Sequence, residues 1–161
     1  MPHPELTYRM YFFVPYNLSP IQQGIQAGHA SLEYAVKYKD TQEFQDFVFW
    51  DKTWIILNGG TSNNGKLGYP AGSMEEIYES LRENGIPCSN FYEPDINCAM
   101  TAICFIANEK VWDYEKYPDF EAQDIIAVDL DEYEDLRKQW EETIGAKNLF
   151  LRNLIKNKKL A

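Results

Sequence analysis

Four short runs of β-forming residues mark the first two-thirds of the chain. They cover residues 8–14 (YRMYFFV), 53–57 (TWIIL), 88–92 and 101–106. Pro or Asn lies within two residues of each run, as expected where strands end and turns begin. The pattern therefore predicts four strands, the first of them buried.

The most strongly patterned helix follows the first of these strands. Ser19, Pro20 and Gln22 form a capping box with proline at the first helical position, which predicts a helix to about residue 39. Its apolar residues form one stripe, made of Ile21, Ile25, Gly28, Leu32 and Ala35. Its polar residues form a neighbouring stripe, made of Gln22, Gln26, His29 and Glu33. The simpler interpretation is an amphipathic helix whose polar stripe faces solvent. The alternative is a polar stripe that lines a cleft.

Two further helices and a long loop complete this region. Thr41 begins a short helix, and Ser73 with Glu76 forms a capping box for another. Residues 58–72 form a loop rich in Gly, Asn and Ser, with no P-loop or G-x-G-x-x-G pattern, which is either a lid or a mobile connection. The order β-α-α-β-α-β-β predicts an α/β fold, a small mixed four-stranded sheet with helices on both faces.

The last third of the chain has a different pattern. Residues 113–142 contain twelve acidic and three basic residues, whereas residues 143–161 contain five basic residues and no acidic one. Apolar residues at helical spacing predict two helices there, through Leu130, Tyr133, Leu136, Trp140 and Ile144, and through Leu149, Phe150, Leu154 and Ile155. We expect an α/β domain over residues 1–112 and a largely helical extension over residues 113–161 that packs on it.

Composition narrows the classes of function. The chain has 161 residues and a formal charge of −10, so it suits one domain and lacks the basic footprint of a general nucleic-acid binder. A local basic patch stays open. Three cysteines without a C-x-x-C pair and only two histidines argue against a metal site, and no cofactor is expected. The absence of a signal segment or a long apolar run predicts a cytoplasmic protein with reduced thiols and no membrane contact.

Two stretches of sequence form a more specific pattern. GIQAGHASLEY places Gln26 three residues before the pair His29-Ala30, and NGIPCSNFYEPDIN is followed by TAICFI. These stretches resemble the archaeal and eukaryotic type (type two) of peptidyl-tRNA hydrolase, with its first helix, Gly-x-Pro turn, third strand, acidic residue and last strand beginning at Thr. The resemblance covers roughly two-thirds of the chain.

The resemblance implies hydrolysis of the ester between a peptide and the 3′ end of tRNA, the reaction of a carboxylic-ester hydrolase. Glu93 occupies the position of the family's catalytic Asp, and we assign it with Gln22 and Thr101 to the catalytic set. The resemblance places Gln26, His29 and Asn97 at the substrate, with no metal. We add Asp95, which lies beside Glu93 in sequence, and Lys66 of the 58–72 loop to the substrate-binding set. Lys66 is assigned in place of the family's lysine near the start of the first helix, where this chain has Ser, Pro and Gln.

Alternatives exist for both the site and the function. Glu93-Pro94-Asp95 is either a carboxylate pair in which repulsion and burial raise one pKa, or an ordinary turn. The missing lysine and the acidic surface favour an inactive family member that binds a nucleotide-like small molecule or a protein partner in the same cleft. The acidic extension is a second candidate surface for a protein partner or an imitation of nucleic acid, and a homodimer is compatible with the sequence.

Overall fold

The computed structural model describes residues 6–63, 68 and 70–161. The chain forms two compact units, Met1–Ile106 with Lys158–Ala161, and Ala107–Asn157. That the extension packs on the α/β domain stays a prediction.

The first unit is built on a four-stranded sheet. Its strands are β1 (Arg9–Pro15), β2 (Trp54–Gly60), β3 (Cys88–Glu93) and β4 (Ala99–Ala107), in the order β2-β1-β4-β3. β1 and β2 are parallel, whereas β3 and β4 are antiparallel. The predicted mixed four-stranded sheet is confirmed.

Helices cover both faces of this sheet, as predicted. They are α1 (Pro20–Tyr38), α2 (Gln42–Asp46), which continues into a π-helical turn over Phe47–Asp51, and α3 (Ser73–Glu83). Phe12 of β1 lies in one buried cluster with Ala27 and Ala30 of α1. Successive strand residues point to opposite faces, and Phe13 lies beside Met74 of α3 across Gly59, where an added Cβ would be 2.3 Å from Met74 Sδ and 3.1 Å from Phe13 Cβ.

The orientation of α1 corrects the amphipathic interpretation. Ile21, Leu32 and Val36 are 76%, 67% and 75% exposed, so the apolar stripe faces away from the sheet. The buried residues of α1 are Gln23, Gln26, Ala27, Ala30 and Tyr34. Small side chains on the inner face let the helix approach the sheet closely. Ser89 Oγ of β3 can therefore donate a hydrogen bond of 2.7 Å to the carbonyl of Ala30. The polar stripe is divided, because Gln26 is buried while Gln22 and Glu33 are exposed.

The start of α3 lies one residue earlier than its capping box predicts. Gly72 is the N-cap, and Glu75 rather than Glu76 accepts a hydrogen bond of 3.0 Å from the Gly72 N–H. The Ser73 hydroxyl donates instead to the carbonyl of Gly59 at 2.6 Å and accepts from the N–H of Thr61 at 2.9 Å. The predicted loop over residues 58–72 also begins too early, since β2 continues to Gly60.

The C-terminal residues return to the sheet, which the sequence did not predict. The Asn58 N–H donates to the Lys159 carbonyl at 2.8 Å, and the Ala161 N–H donates to the Ile56 carbonyl at 3.0 Å. Leu57 and Leu160 form an antiparallel bridge. These bonds occupy part of the outer edge of β2, which a neighbouring chain could otherwise use for strand pairing.

The second unit is helical, with a buried arginine at its centre. It contains α4 (Glu109–Trp112), α5 (Leu130–Ile144) and α6 (Ala146–Ile155), the last two as predicted. Arg152 is 3% exposed; its guanidinium donates to the carbonyls of Lys110 and Tyr117 at 3.0 and 2.9 Å and to Asp119 Oδ1 at 2.7 Å. Among the described residues, no helix is long and apolar enough to cross a membrane.

Candidate functional site

Three predicted site residues from three different elements are joined by hydrogen bonds. Thr101 of β4 donates to Gln26 Oε1 of α1 at 2.5 Å, and Gln26 Nε2 donates to Glu93 Oε2 at the end of β3 at 2.9 Å. Thr101 and Gln26 are buried, whereas Glu93 is half-buried. The two donors therefore form a chain that leads from the core to a carboxylate at the surface.

An irregularity in β4 brings Thr101 to this chain. The strand register passes from Phe91 opposite Ala102 to Tyr92 opposite Met100, so Thr101 is an extra residue on β4. Ala102 points into the cluster that packs against α1, so in a regular strand the neighbouring Thr101 would point to the opposite face. A bulge redirects one side chain in this way, and bulges are frequent beside functional sites.

Glu93 is held in its ionised form. The hydrogen bond from Gln26, followed by the one from the Asp95 backbone N–H, holds the pKa of Glu93 below its usual value. Burial opposes this shift and the charge of His29 adds to it. Of the two interpretations of Glu93-Pro94-Asp95, the structure agrees with the turn, because the Asp95 backbone N–H donates to Glu93 Oε1 at 3.3 Å and helps to lower the pKa of Glu93.

His29 lies next to this carboxylate on an aromatic support. Its ring stacks on Phe91 with centroids 4.4 Å apart and planes 19° from parallel. Both residues are half-buried. His29 thus combines a fixed ring plane with nitrogen atoms that can exchange hydrogen bonds with a ligand beside Glu93.

The loop after β3 contains two more of the predicted residues. Pro94–Ile96 form a single 3-10 turn in which Asp95 is exposed. Asn97 and Cys98 both have left-handed backbones, with φ of 51° and 56°, which non-glycine residues seldom adopt. The Cys98 N–H closes the loop on the Glu93 carbonyl at 3.1 Å. Backbone strain of this kind concentrates at functional sites.

Gln22 is not part of this hydrogen-bonded group. Gln22 is exposed, and its backbone N–H donates to the N-cap hydroxyl of Ser19 at 3.3 Å. The neighbouring Gln23 turns inward and donates to the Pro15 carbonyl at 3.2 Å, a role that the sequence analysis missed. Lys66 lies outside the described residues.

The site offers oxygen and imidazole groups for contact with a ligand. Each carboxylate oxygen of Glu93 has one protein donor and can accept further bonds from a water or a hydroxyl group. In the described part of the chain, no group of three or more His, Cys, Asp or Glu side chains could hold a metal ion. The arrangement suits proton transfer and hydrogen bonding by Glu93 and His29.

Comparison with known proteins assigns no family. No family model matches the chain. A search of curated proteins also finds no match.

Proposed function

We propose that the chain is an ester hydrolase of the peptidyl-tRNA hydrolase kind. The observation that supports this most strongly is the hydrogen-bonded chain from Thr101 through Gln26 to Glu93. These are three of the residues that the resemblance to type-two peptidyl-tRNA hydrolases assigns to catalysis and substrate binding. The mixed sheet with helices on both faces is compatible with that assignment.

In the proposed reaction, Glu93 orients and activates a water molecule. The water oxygen forms a bond to the ester carbonyl carbon while its proton passes to the Glu93 carboxylate. The bond between that carbon and the 3′ oxygen of the tRNA then breaks, and the 3′ oxygen takes up the proton. Gln26 fixes the carboxylate from its buried position, and His29 faces the substrate beside it.

The charge state of Glu93 determines the pH dependence of this reaction. Its pKa is below the usual value, so the carboxylate remains the base throughout the neutral and mildly acidic range. We expect kcat/KM to be insensitive to Glu93 titration until the pH falls below the ordinary glutamate range. Activity is lost only when the carboxylate becomes protonated.

Substitution of Glu93 tests the proposal directly. Glu93→Gln removes the base, and loss of a general base lowers the rate by about 100-fold or more. The assay is release of peptide from peptidyl-tRNA by the purified chain, with Glu79→Gln as the matched control, since Glu79 is an exposed glutamate of α3 outside the candidate site. No turnover by the unsubstituted chain at high concentration, or full activity of Glu93→Gln, contradicts the proposal.

A second function, ligand binding without catalysis, is favoured by the same lowered pKa. A carboxylate that is stabilised in its charged form is a weaker base, and Gln22 and Gln23 occupy the region where the family has a lysine. In this alternative Glu93 accepts hydrogen bonds from a nucleotide-like ligand. Calorimetric titration with adenosine nucleotides distinguishes the two, because binding that Glu93→Gln abolishes, together with no ester cleavage, supports the alternative.

A further inference from the structure

An apolar groove lies on the first unit, away from the candidate site. Its cavity volume is about 260 Å³, and its lining includes Leu32, Ala35, Phe44, Phe47, Val48 and Trp54. Leu32, Val48 and Trp54 are 67%, 45% and 42% exposed. We call this surface the α1–α2 groove. Apolar surface left open in this way commonly marks a binding site for a protein.

The groove has a positive charge at its lining. Lys52 is the only ionisable residue among those that line it. Because Lys52 is the charged side chain at this lining, the groove suits an apolar segment with an acidic flank.

A segment of that chemistry is present on the second unit. Residues 124–130 (DIIAVDL) precede α5, and Ile126, Val128 and Leu130 are 91%, 90% and 69% exposed. The three side chains alternate along the chain, while Asp124 and Asp129 supply negative charge. Aliphatic side chains that remain so exposed gain free energy when a partner covers them.

This segment is held in place before any partner binds. The Val128 N–H donates to Glu132 Oε2 at 2.8 Å, and Asp129 caps α5 by accepting from the Glu132 N–H at 2.9 Å. The α5 N-terminus thus fixes the backbone that presents Val128 and Leu130. A preorganised segment loses less conformational entropy on binding than a disordered one.

We propose that residues 124–130 of one copy of this chain dock in the α1–α2 groove of a second copy. The aliphatic side chains enter the groove, and Asp124 pairs with the charge of Lys52, while Asp129 remains the cap of α5. If each copy gives its segment to the other, a closed twofold dimer with two equivalent contacts results. The proposal is independent of the proposed hydrolase function.

Sedimentation velocity over a range of protein concentrations tests the dimer. The unsubstituted chain is expected to associate, whereas Val48→Asp and the double variant Ile126→Asp/Val128→Asp each weaken association at least about tenfold. The control is Ile21→Asp, an equally exposed apolar residue of α1 that does not line the groove. Circular dichroism establishes that each variant is folded. A monomer at all concentrations, or a dimer that only Ile21→Asp disrupts, overturns the proposal.

Mixing the variants distinguishes this interface from one in which both copies use the same surface for the contact. A Val48→Asp chain retains an intact segment, and the Ile126→Asp/Val128→Asp chain retains an intact groove, so the mixture regains one of the two contacts. We expect heterodimers in the mixture at concentrations where neither variant associates alone. Lys52→Glu is also expected to weaken association, and adding Asp124→Lys is expected to restore it. Failure of both rescues shows that some other surface forms the dimer and overturns the proposal.

Discussion

The two units bury polar groups in opposite ways. In the first unit, the buried polar side chains include Gln26 and Thr101, which are neutral and lie beside an apolar sheet core. In the second unit, the buried polar residue is Arg152, a full charge. Its guanidinium lies 4.4 Å from the Tyr114 ring centroid and 5.6 Å from that of Trp140. In the first unit, buried neutral side chains position a surface carboxylate. In the second unit, a buried guanidinium links separate segments of the chain.

The difference follows from how the backbone groups of each unit find hydrogen-bond partners. The strands of the first unit satisfy one another's backbone groups, so Gln26 and Thr101 are free to position Glu93. The second unit includes irregular chain between α4 and α5, whose carbonyl groups need donors. Arg152 supplies them to Lys110 and Tyr117, and it adds an ion pair with Asp119. A buried arginine can thus donate the hydrogen bonds to backbone carbonyls that strand pairing would provide in a sheet.

The largest expected effect is the loss of this cross-link. Arg152→Met leaves two carbonyls without their donor and Asp119 with Lys156 alone, at 3.6 Å, and removal of one partner of a buried pair costs about 3 kcal/mol. Hydrogen exchange should show faster opening throughout residues 107–157 and little change in β1 and β4. Arg137→Met is the matched control, because its ion pairs with Glu121 and Glu141 are exposed and contribute little to stability. Equal effects of the two variants would contradict the central role of Arg152.

A smaller effect is expected from Gln26→Ala in the first unit. The substitution leaves the buried Thr101 hydroxyl without its acceptor, which costs about 1–3 kcal/mol of unfolding free energy. It also removes the main cause of the low pKa of Glu93, so that pKa should rise toward its ordinary value in an NMR titration. Gln22→Ala, on the exposed side of the same helix, is expected to change neither quantity. An unchanged Glu93 pKa in Gln26→Ala would show that the hydrogen-bonded chain is not formed.

The smallest expected effect is a loss of stability of the second unit at acidic pH. Desolvation is the largest influence on Asp119 and raises its pKa, but the hydrogen bond and charge of Arg152, with Lys156, outweigh it and the pKa ends below the ordinary value. The stabilisation is complete above the ordinary aspartate pKa and is lost as the pH falls through the folded-state value. Hydrogen exchange of residues 107–157 at decreasing pH should show this loss. In the Asp119→Asn variant, the stability of residues 107–157 should depend less on pH. An equally steep loss of stability in that variant would show that other carboxylates cause it.

Much of the fold was predictable because it depends on local patterns. Apolar runs identify β1, β2 and β4, and the Ser19 cap with Pro20 identifies the start of α1. The inward face of α1 was not predictable from apolar periodicity. The helix packs closely through Ala27 and Ala30, and the side chains of Ile21, Leu32 and Val36 are left outside, the reverse of the usual rule.

The candidate site was predictable only in part. The resemblance identified Gln26, Glu93 and Thr101, and the structure brings them into one hydrogen-bonded chain. The bulge that turns Thr101 toward Gln26 depends on the pairing of β3 with β4, a long-range register that has no local sequence signal. The direction of the Glu93 pKa depends in turn on the donors that this pairing brings together. Neither could be derived from residue spacing.

The pairing of residues 159–161 with β2 makes the first unit discontinuous in sequence. The second unit is in effect an insert, since the polypeptide leaves the first unit after Ile106 and rejoins it at Lys158. A chain cut after Ile106 would therefore lose the final piece of the sheet edge together with the second unit. Dissection of this protein should instead excise residues 107–157 and join the flanking segments with a flexible linker, which retains both pieces of the same folding unit.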